Sequence, residues 1–361
     1  MRGKPLSVQG RRDLEPLSSV GKANGERDGF MSGESLRLGV LGAAKIAPDA
    51  LIKPAAESAR AEVVAIAARD PERARAFAEE HAIPQVDVSY EALVRNPDVD
   101  AVYNPLPASL HHEWTLEALQ QGKHVLCEKP FASNESEAEQ MVAAARESGL
   151  VLLEAFHYRY HPLASRILEV LASGVIGEFR EIEAAFCVPI PDTGDIRYDL
   201  SLGGGATMDL GCYPIHWCRL ATGTEPTVLG AEAREEPSGI DVTMTAELRF
   251  PEDVPCKVHC SMAAEVGFQA FLQVTGSKGL LRADNPLVPH FGHQLRLTID
   301  GSEKAEQVEG RTTYDHQLDA FAAAVLHGEE QPTGGEDGIA NMRVIDAIYR
   351  AAGMQPRGTT A

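Results

Sequence analysis

Apolar residues follow two regimes along the chain. From residue 36 to about 160, short apolar runs alternate with helical segments. The strands read "LRLGVL" at the start, then 61–70, 98–107, 123–132 and 150–162. Helices follow the first glycine turn, begin again at "PERARAF" (71–77), and fill 112–122 and 134–149. Strand and helix alternating at this spacing predict a doubly wound parallel sheet. Beyond residue 178 the pattern changes. Strands are expected over 178–188, 242–250, 256–265, 270–276 and 294–300, with amphipathic helices over 313–329 and 338–352. Inside this second regime, after the strand at 178–188 and a loop, lies "GGGATMDLGCYPIHW" (203–217), three glycines leading into a segment that reads as helical from about Thr207.

Length and composition narrow the picture without choosing a chemistry. At 361 residues the chain is comfortable for two domains. The net charge of -20 argues against nucleic acid and anionic membranes as partners. No run of eighteen apolar residues is present, so no membrane helix is expected. Six scattered cysteines read as reduced core residues of a cytoplasmic protein, and no metal-ligand spacing appears. Residues 1–35 are polar, Gly/Ser-rich and nonperiodic, and are expected to be a disordered extension. The twin Arg at 11–12 lacks a following apolar core, and Met31 is an alternative start.

The first strand ends in Gly42-Ala43-Ala44-Lys45-Ile46-Ala47, a relaxed G-x-A-x-x-A form of the dinucleotide fingerprint. Small residues there let the backbone approach a pyrophosphate at a helix N-terminus. The second strand ends in Ala67-Ala68-Arg69-Asp70, where an NAD site would carry an acidic residue. Asp70 suits the N-cap of the next helix, and Arg69 is free to fork onto a 2′-phosphate. This favours NADP over NAD. Asn104, Leu106 and Pro107 after the third strand, and Glu128 and Lys129 after the fourth, join Gly42, Ala44, Lys45, Ile46 and Arg69 as expected cofactor contacts. Lys129 in "EKP" is expected beside the nicotinamide.

Four segments together carry a resemblance: the glycine turn, "EKP" (128–130), "EAFHYRYHP" (154–162) and "GGGATMDLGCYP" (203–214). Over residues 36 to about 352 the chain resembles the glucose–fructose oxidoreductase / inositol dehydrogenase / MocA family. Within it the chain looks most like the dimeric dihydrodiol dehydrogenase and NADP-dependent D-xylose dehydrogenase branch. The resemblance implies a Rossmann domain over 36–155 and a substrate-binding and oligomerisation domain over 156–361, built on an open, mostly antiparallel sheet. It also implies a homodimer or homotetramer.

With that resemblance, Lys129, Tyr213 and Asp209 are the expected catalytic residues. In a helix Asp209 and Tyr213 are four apart and share a face. A Tyr whose pKa is pulled towards neutrality by Lys129 would take a proton from a substrate hydroxyl. Asp209 would bind substrate or hold Lys129. Related chains carry His where Tyr213 stands, which leaves two readings for His216: substrate contact, or a buried residue with a satisfied polar tip. His157, Arg159 and His161 alternate on an extended segment and line the pocket or brace the hinge. His111 and His112 reach substrate hydroxyls or cap their helix. The reading is an NADP-dependent oxidoreductase moving hydride between nicotinamide and a sugar or cyclic diol. A sugar-nucleotide ketoreductase and a noncatalytic NADP-binding regulator are the alternatives. The glycoside-hydrolysing branch of the family is disfavoured by Arg69 and Tyr213.

Overall fold

The computed structural model describes residues 35–359, so the extension expected over 1–35 lies, Ser35 apart, outside the described residues. Six strands form a first sheet: β1 (Leu36–Leu41), β2 (Ala61–Ala67), β3 (Gln85–Val86), β4 (Ala101–Asn104), β5 (His124–Cys127) and β6 (Leu152–Glu154). Their order is β3-β2-β1-β4-β5-β6 and every pair is parallel. The order reverses between β1 and β4, which opens a crevice at the carboxyl ends of the strands.

Helices α1 (Lys53–Glu57), α2 (Pro71–Glu80), α3 (Tyr90–Val94), α4 (His111–Gln120) and α5 (Glu135–Ser148) make the crossovers. Further on come α6 (Pro162–Ala172), α7 (Cys212–Thr222), α8 (Thr313–His327) and α9 (Gly335–Ala351). Strand β1 is apolar almost throughout because both of its faces are covered. Part of that cover comes from far along the chain. Leu318, Phe321 and Ala322 of α8 share one core with Leu38, Val40 and Ile66.

The second sheet has eight strands: β7 (Phe179–Cys187), β8 (Thr227–Glu235), β9 (Asp241–Phe250), β10 (Val254–Ser261), β11 (Gln269–Gly276), β12 (Gly279–Asp284), β13 (Gln294–Ile299) and β14 (Ser302–Glu306). The order is β14-β13-β12-β11-β7-β10-β9-β8, antiparallel except between β7 and β10. The fold is therefore a Rossmann sheet joined to an open, mostly antiparallel sheet. Val242, Met244, Ala246 and Leu248 of β9 turn to the helices, while Thr243, Thr245 and Glu247 turn away.

Several elements fall outside the expected ones. Strand β8 has only a few apolar residues and β14, "SEKAE", only one. Both lie at sheet edges, where pairing to a neighbour supplies the conformation and charged side chains are tolerated. The segment expected as a strand over 150–162 is extended only from Leu152 to Glu154. His157–Tyr160 is a 3-10 turn, and His161 caps α6 by accepting from the Leu163 amide (3.1 Å). The expected alternation of His157, Arg159 and His161 on an extended segment is therefore not present.

Candidate active site

Two segments meet above the carboxyl end of β5. One is the "EKP" turn; the other is the triple-glycine bend and the helix after it. Gly203 and Gly205 have positive φ (78° and 131°), which L side chains resist. A Cβ on Gly204 would strike the carbonyl of Arg197. The turn that follows, Thr207–Gly211, is a π-turn and not the start of an α-helix. Pro214 then leaves one carbonyl of the turn without a backbone partner. A π-turn pairs each carbonyl with the amide five residues on, and for Asp209 that residue is Pro214, which has no N–H.

The carbonyl of Asp209 accepts from Lys129 Nζ instead (3.0 Å), and its carboxylate accepts from the same ammonium (2.8 Å). Arg197, from the loop before the glycines, donates to the other carboxylate oxygen (2.5 Å) and also binds Asp195 (2.9 Å). Arg197 was not among the expected residues; its loop carries no motif that singles it out. Burial works against the Asp209 carboxylate, but Lys129 and Arg197 beside it win and hold its pKa down to about 2. Burial likewise works against the Lys129 ammonium, and Asp209 outweighs it and raises the pKa. Lys129 is thus a fixed cation. Two of its three protons face Asp209, and one remains for a substrate oxygen.

Tyr213 stands over this pair, with Lys129 Nζ 5.2 Å from the ring centroid. Its hydroxyl faces His157 Nε2 at 3.5 Å, and His157 Nδ1 lies 2.8 Å from the Thr313 hydroxyl. Burial pushes the phenol well above its ordinary pKa, and Cys212 and Glu128 push it the same way. This corrects the expectation that Lys129 pulls it towards neutrality: the ammonium is bound to Asp209 and faces the ring, not the hydroxyl. Burial and the nearby Lys129 lower His157 to about 3, so its imidazole is neutral.

His216 does not face the cleft. Its Nδ1 lies 2.5 Å from the Tyr158 hydroxyl, and its Nε2 approaches Asp337 at 2.7 Å. Arg219 reaches Asp337 (3.0 Å) and Glu225 (2.7 Å). The Phe156 ring lies between His216 and Tyr213: it stacks on His216 at 4.3 Å and meets Tyr213 edge-on at 5.4 Å. Of the two readings for His216, the buried and satisfied one holds.

At the cofactor end, Gly42 has φ 86°, and a Cβ there would press on Leu106. Ala44 is half-buried, while Lys45, Ile46 and Arg69 are exposed at the tips of β1 and β2. Asp70 does cap α2, accepting from the Glu72 and Arg73 amides. Arg73, absent from the sequence reading, crosses to the Ala43 carbonyl (2.7 Å) and frames the same corner. The bare glycine turn, an exposed apolar side chain and two guanidiniums fit a dinucleotide with an extra phosphate.

Asn104 is buried and works locally: its side-chain amide donates to the His111 carbonyl and the Thr115 hydroxyl, and its oxygen accepts from the Leu106 amide. Pro107 leads into the turn before α4. Glu128 takes a hydrogen bond from the Tyr103 hydroxyl (2.7 Å). His111 is buried with both ring nitrogens on carbonyls, Pro130 (2.9 Å) and Leu106 (2.7 Å), so it braces the two strand-end loops and has no nitrogen to offer a substrate. His112 is on the outside of α4, beside Gln140 (3.0 Å). Arg159 is half-buried next to Tyr158 and Tyr160.

The NAD-binding Rossmann model of the GFO/IDH/MocA oxidoreductases matches residues 36–156, and that family's C-terminal domain model matches 165–282. The chain belongs to the GFO/IDH/MocA family. It is an NAD(P)-dependent oxidoreductase. It is 36% identical to the D-xylose 1-dehydrogenase (NADP(+)) 2 of Haloferax volcanii, over 88% of this chain and 97% of that protein. It is equally 36% identical to the dTDP-3,4-didehydro-2,6-dideoxy-alpha-D-glucose 3-reductase of Actinomadura kijaniata, over 88% and 96%. The crystal structure of KijD10, a 3-ketoreductase from Actinomadura kijaniata in complex with NADP and TDP-benzene, superposes with a TM-score of 0.82 at 33% identity, over 88% of this chain and 98% of that one. The family is shared with the dihydrodiol and xylose branch, but that branch is not singled out: sugar-nucleotide reductases match comparably. Among the described residues no helix is long and apolar enough to cross a membrane.

Proposed function

We propose that this enzyme is an NADP-dependent ketoreductase whose substrate is a nucleotide-linked keto sugar. One observation carries the reading. Structures of the Actinomadura ketoreductase with a lysine or a tyrosine replaced carry those two changes the same number of positions apart as Lys129 and Tyr213. In this chain that pair meets at the carboxyl end of β5, with Asp209 between them and the sheet's crevice alongside.

Bound NADPH supplies the hydride. The chain's own residues do the rest. Lys129, held cationic by Asp209, offers its third N–H to the carbonyl oxygen and stabilises the negative charge that grows there. The Tyr213 hydroxyl, protonated because it is buried, is the proton donor to that oxygen. Neutral His157 faces the phenolic oxygen and orients it; the proton that Tyr213 gives up is replaced from solvent, either directly or by a relay in which His157 Nε2–H donates to the phenolate as Nδ1 takes a proton from the Thr313 side. Arg69 and Arg73 are placed to hold the 2′-phosphate.

An aldose or cyclic-diol dehydrogenase is the second reading, supported by the Haloferax relative. A single screen separates the two. Nicotinamide oxidation or reduction is followed with NADPH and NADP against a TDP-linked 3-keto sugar, D-xylose and a trans-cyclic diol. Reduction of the TDP sugar at a kcat/KM at least a hundredfold above the free sugar and diol is expected. Faster turnover of free D-xylose or the diol would assign the second reading.

A further inference from the structure

We infer that the C-terminal strap of the chain, residues 353–359, is part of the catalytic apparatus, with Arg357 as the residue that positions Asp209. The inference rests on the reading of Lys129 and Asp209 as catalytic. Arg357 lies four residues from the end of the chain, yet it is buried. Its Nε donates to the Gly204 carbonyl (2.8 Å), and its NH2 donates to Asp241 (2.6 Å). Its guanidinium lies over the Tyr349 ring, 4.4 Å from the centroid, and the Tyr349 hydroxyl donates to the same Asp241 oxygen (3.0 Å).

The other Asp241 oxygen accepts from the backbone amide and the hydroxyl of Thr207 (2.7 and 2.6 Å). Thr207 is the first residue of the π-turn that aims Asp209 at Lys129. One guanidinium therefore fixes the glycine bend directly and the first turn after it through a single fully buried carboxylate. The cavity has no slack: a Cβ on Gly205 would collide with Asp241, Arg357 and Tyr349 together. The strap is also tied to the first sheet's side of the molecule. Asn134, the N-cap of α5, donates its side-chain amide to the Arg357 carbonyl (2.9 Å).

Burying an ion pair is a poor way to gain stability, because desolvation cancels most of the attraction. What this pair does supply is a fixed position. Its hydrogen bonds run to the Gly204 backbone and, through Asp241, to the Thr207 backbone, the two points that set where the π-turn starts. A displacement of about 1 Å at a reacting group costs on the order of a hundredfold in rate, so the strap's effect is expected in turnover before it is expected in binding.

The test uses the full chain and the variants Arg357→Gly, Arg357→Lys and Lys129→Met. Turnover, NADP affinity by nicotinamide fluorescence, melting temperature and the pH–rate profile are measured. Arg357→Gly is expected to lose about ten- to a hundredfold in kcat with unchanged NADP affinity, and added guanidinium is expected to restore a large part of it. Arg357→Lys, which keeps the charge but not both hydrogen bonds, should fall between. Its acid limb should move up in pH, since a looser π-turn no longer keeps the Asp209 carboxylate against Lys129. If Arg357→Gly does not fold, the Lys variant carries the test. Wild-type kcat in a folded Arg357 variant overturns the inference, as does a loss that follows melting temperature alone and ignores guanidinium. Undiminished turnover in Lys129→Met would instead overturn the catalytic reading beneath it.

Discussion

Helix α7 and the turn before it divide two clusters made of the same ingredients. On the cleft side, Asp209, Tyr213 and His157 meet the cations Lys129 and Arg197. On the core side, Asp337, Tyr158 and His216 meet the cation Arg219. In both, a carboxylate is held down to about 2 by its cations against the opposing effect of burial. Chemistry-bearing residue types therefore do not mark the site. The difference lies in satisfaction. His216 has a partner on each ring nitrogen and Arg219 is bound on two sides, so nothing is left to offer a ligand. Among the described residues, Lys129 keeps one proton free, and the Tyr213 hydroxyl has only a long contact to His157.

Swapping the two tyrosines' fates is the most forceful way to break this comparison. Tyr213→Phe is expected to lower turnover by about two to four powers of ten while the melting temperature hardly moves. Tyr158→Phe should show the reverse: turnover per folded molecule stays near wild type, and the melting temperature falls as the His216 partner is lost. Turnover and melting curves on both variants decide it. Normal turnover in Tyr213→Phe would place the two clusters in one class.

A smaller effect separates the carboxylates. Asp337→Asn leaves Arg219 short of a counter-charge and is expected to cost about 3 kcal/mol of stability, the low end for a broken buried pair because Asp337 is partly exposed. Its pH dependence has a defined sign. The folded pKa is depressed from 3.8 to about 2, so the stabilisation is complete above 3.8 and lost as pH falls through about 2. Denaturant unfolding between pH 5 and 2 should therefore show a gap between wild type and variant that closes on the acid side. A gap that widens instead would remove Asp337 from the core cluster's stabilising role.

The mildest expected effect sharpens the contrast from outside both clusters. Arg69 is an exposed cation at the tip of β2, with its neighbour Asp70 turned to the α2 amides. Arg69→Ala is expected to shift the NADP/NAD affinity ratio by about ten- to a hundredfold and to leave the melting temperature alone. Fluorescence titration with both cofactors reads it, and an unchanged ratio would move the 2′-phosphate to another residue.

The sequence by itself determined the parallel sheet, the glycine turn at Gly42, the Arg69 tip and the cap at Asp70. Each is set by residues adjacent in the chain: apolar runs, a side chain that is missing, a carboxylate one residue before a helix. It also brought Lys129 and the 203–217 segment forward as chemistry. Helix α6 was legible too, since Leu163, Ile167 and Val170 fall at helical spacing, but no element was assigned there. The edge strands β8 and β14 were not legible, because their conformation comes from a neighbour's hydrogen bonds and not from their own pattern. Only the tertiary structure decided which way each polar group points. Helical spacing put Asp209, Tyr213 and His216 near one face, and the π-turn before Pro214 together with the Phe156 ring put His216 on the other side. It likewise decided that Lys129 binds Asp209 and leaves the Tyr213 phenol protonated, and that Arg197 and Arg357, distant in sequence from Lys129, converge on the same turn. Such outcomes depend on burial and on which charges lie within hydrogen-bond reach, and those distances exist only once the chain has closed on itself.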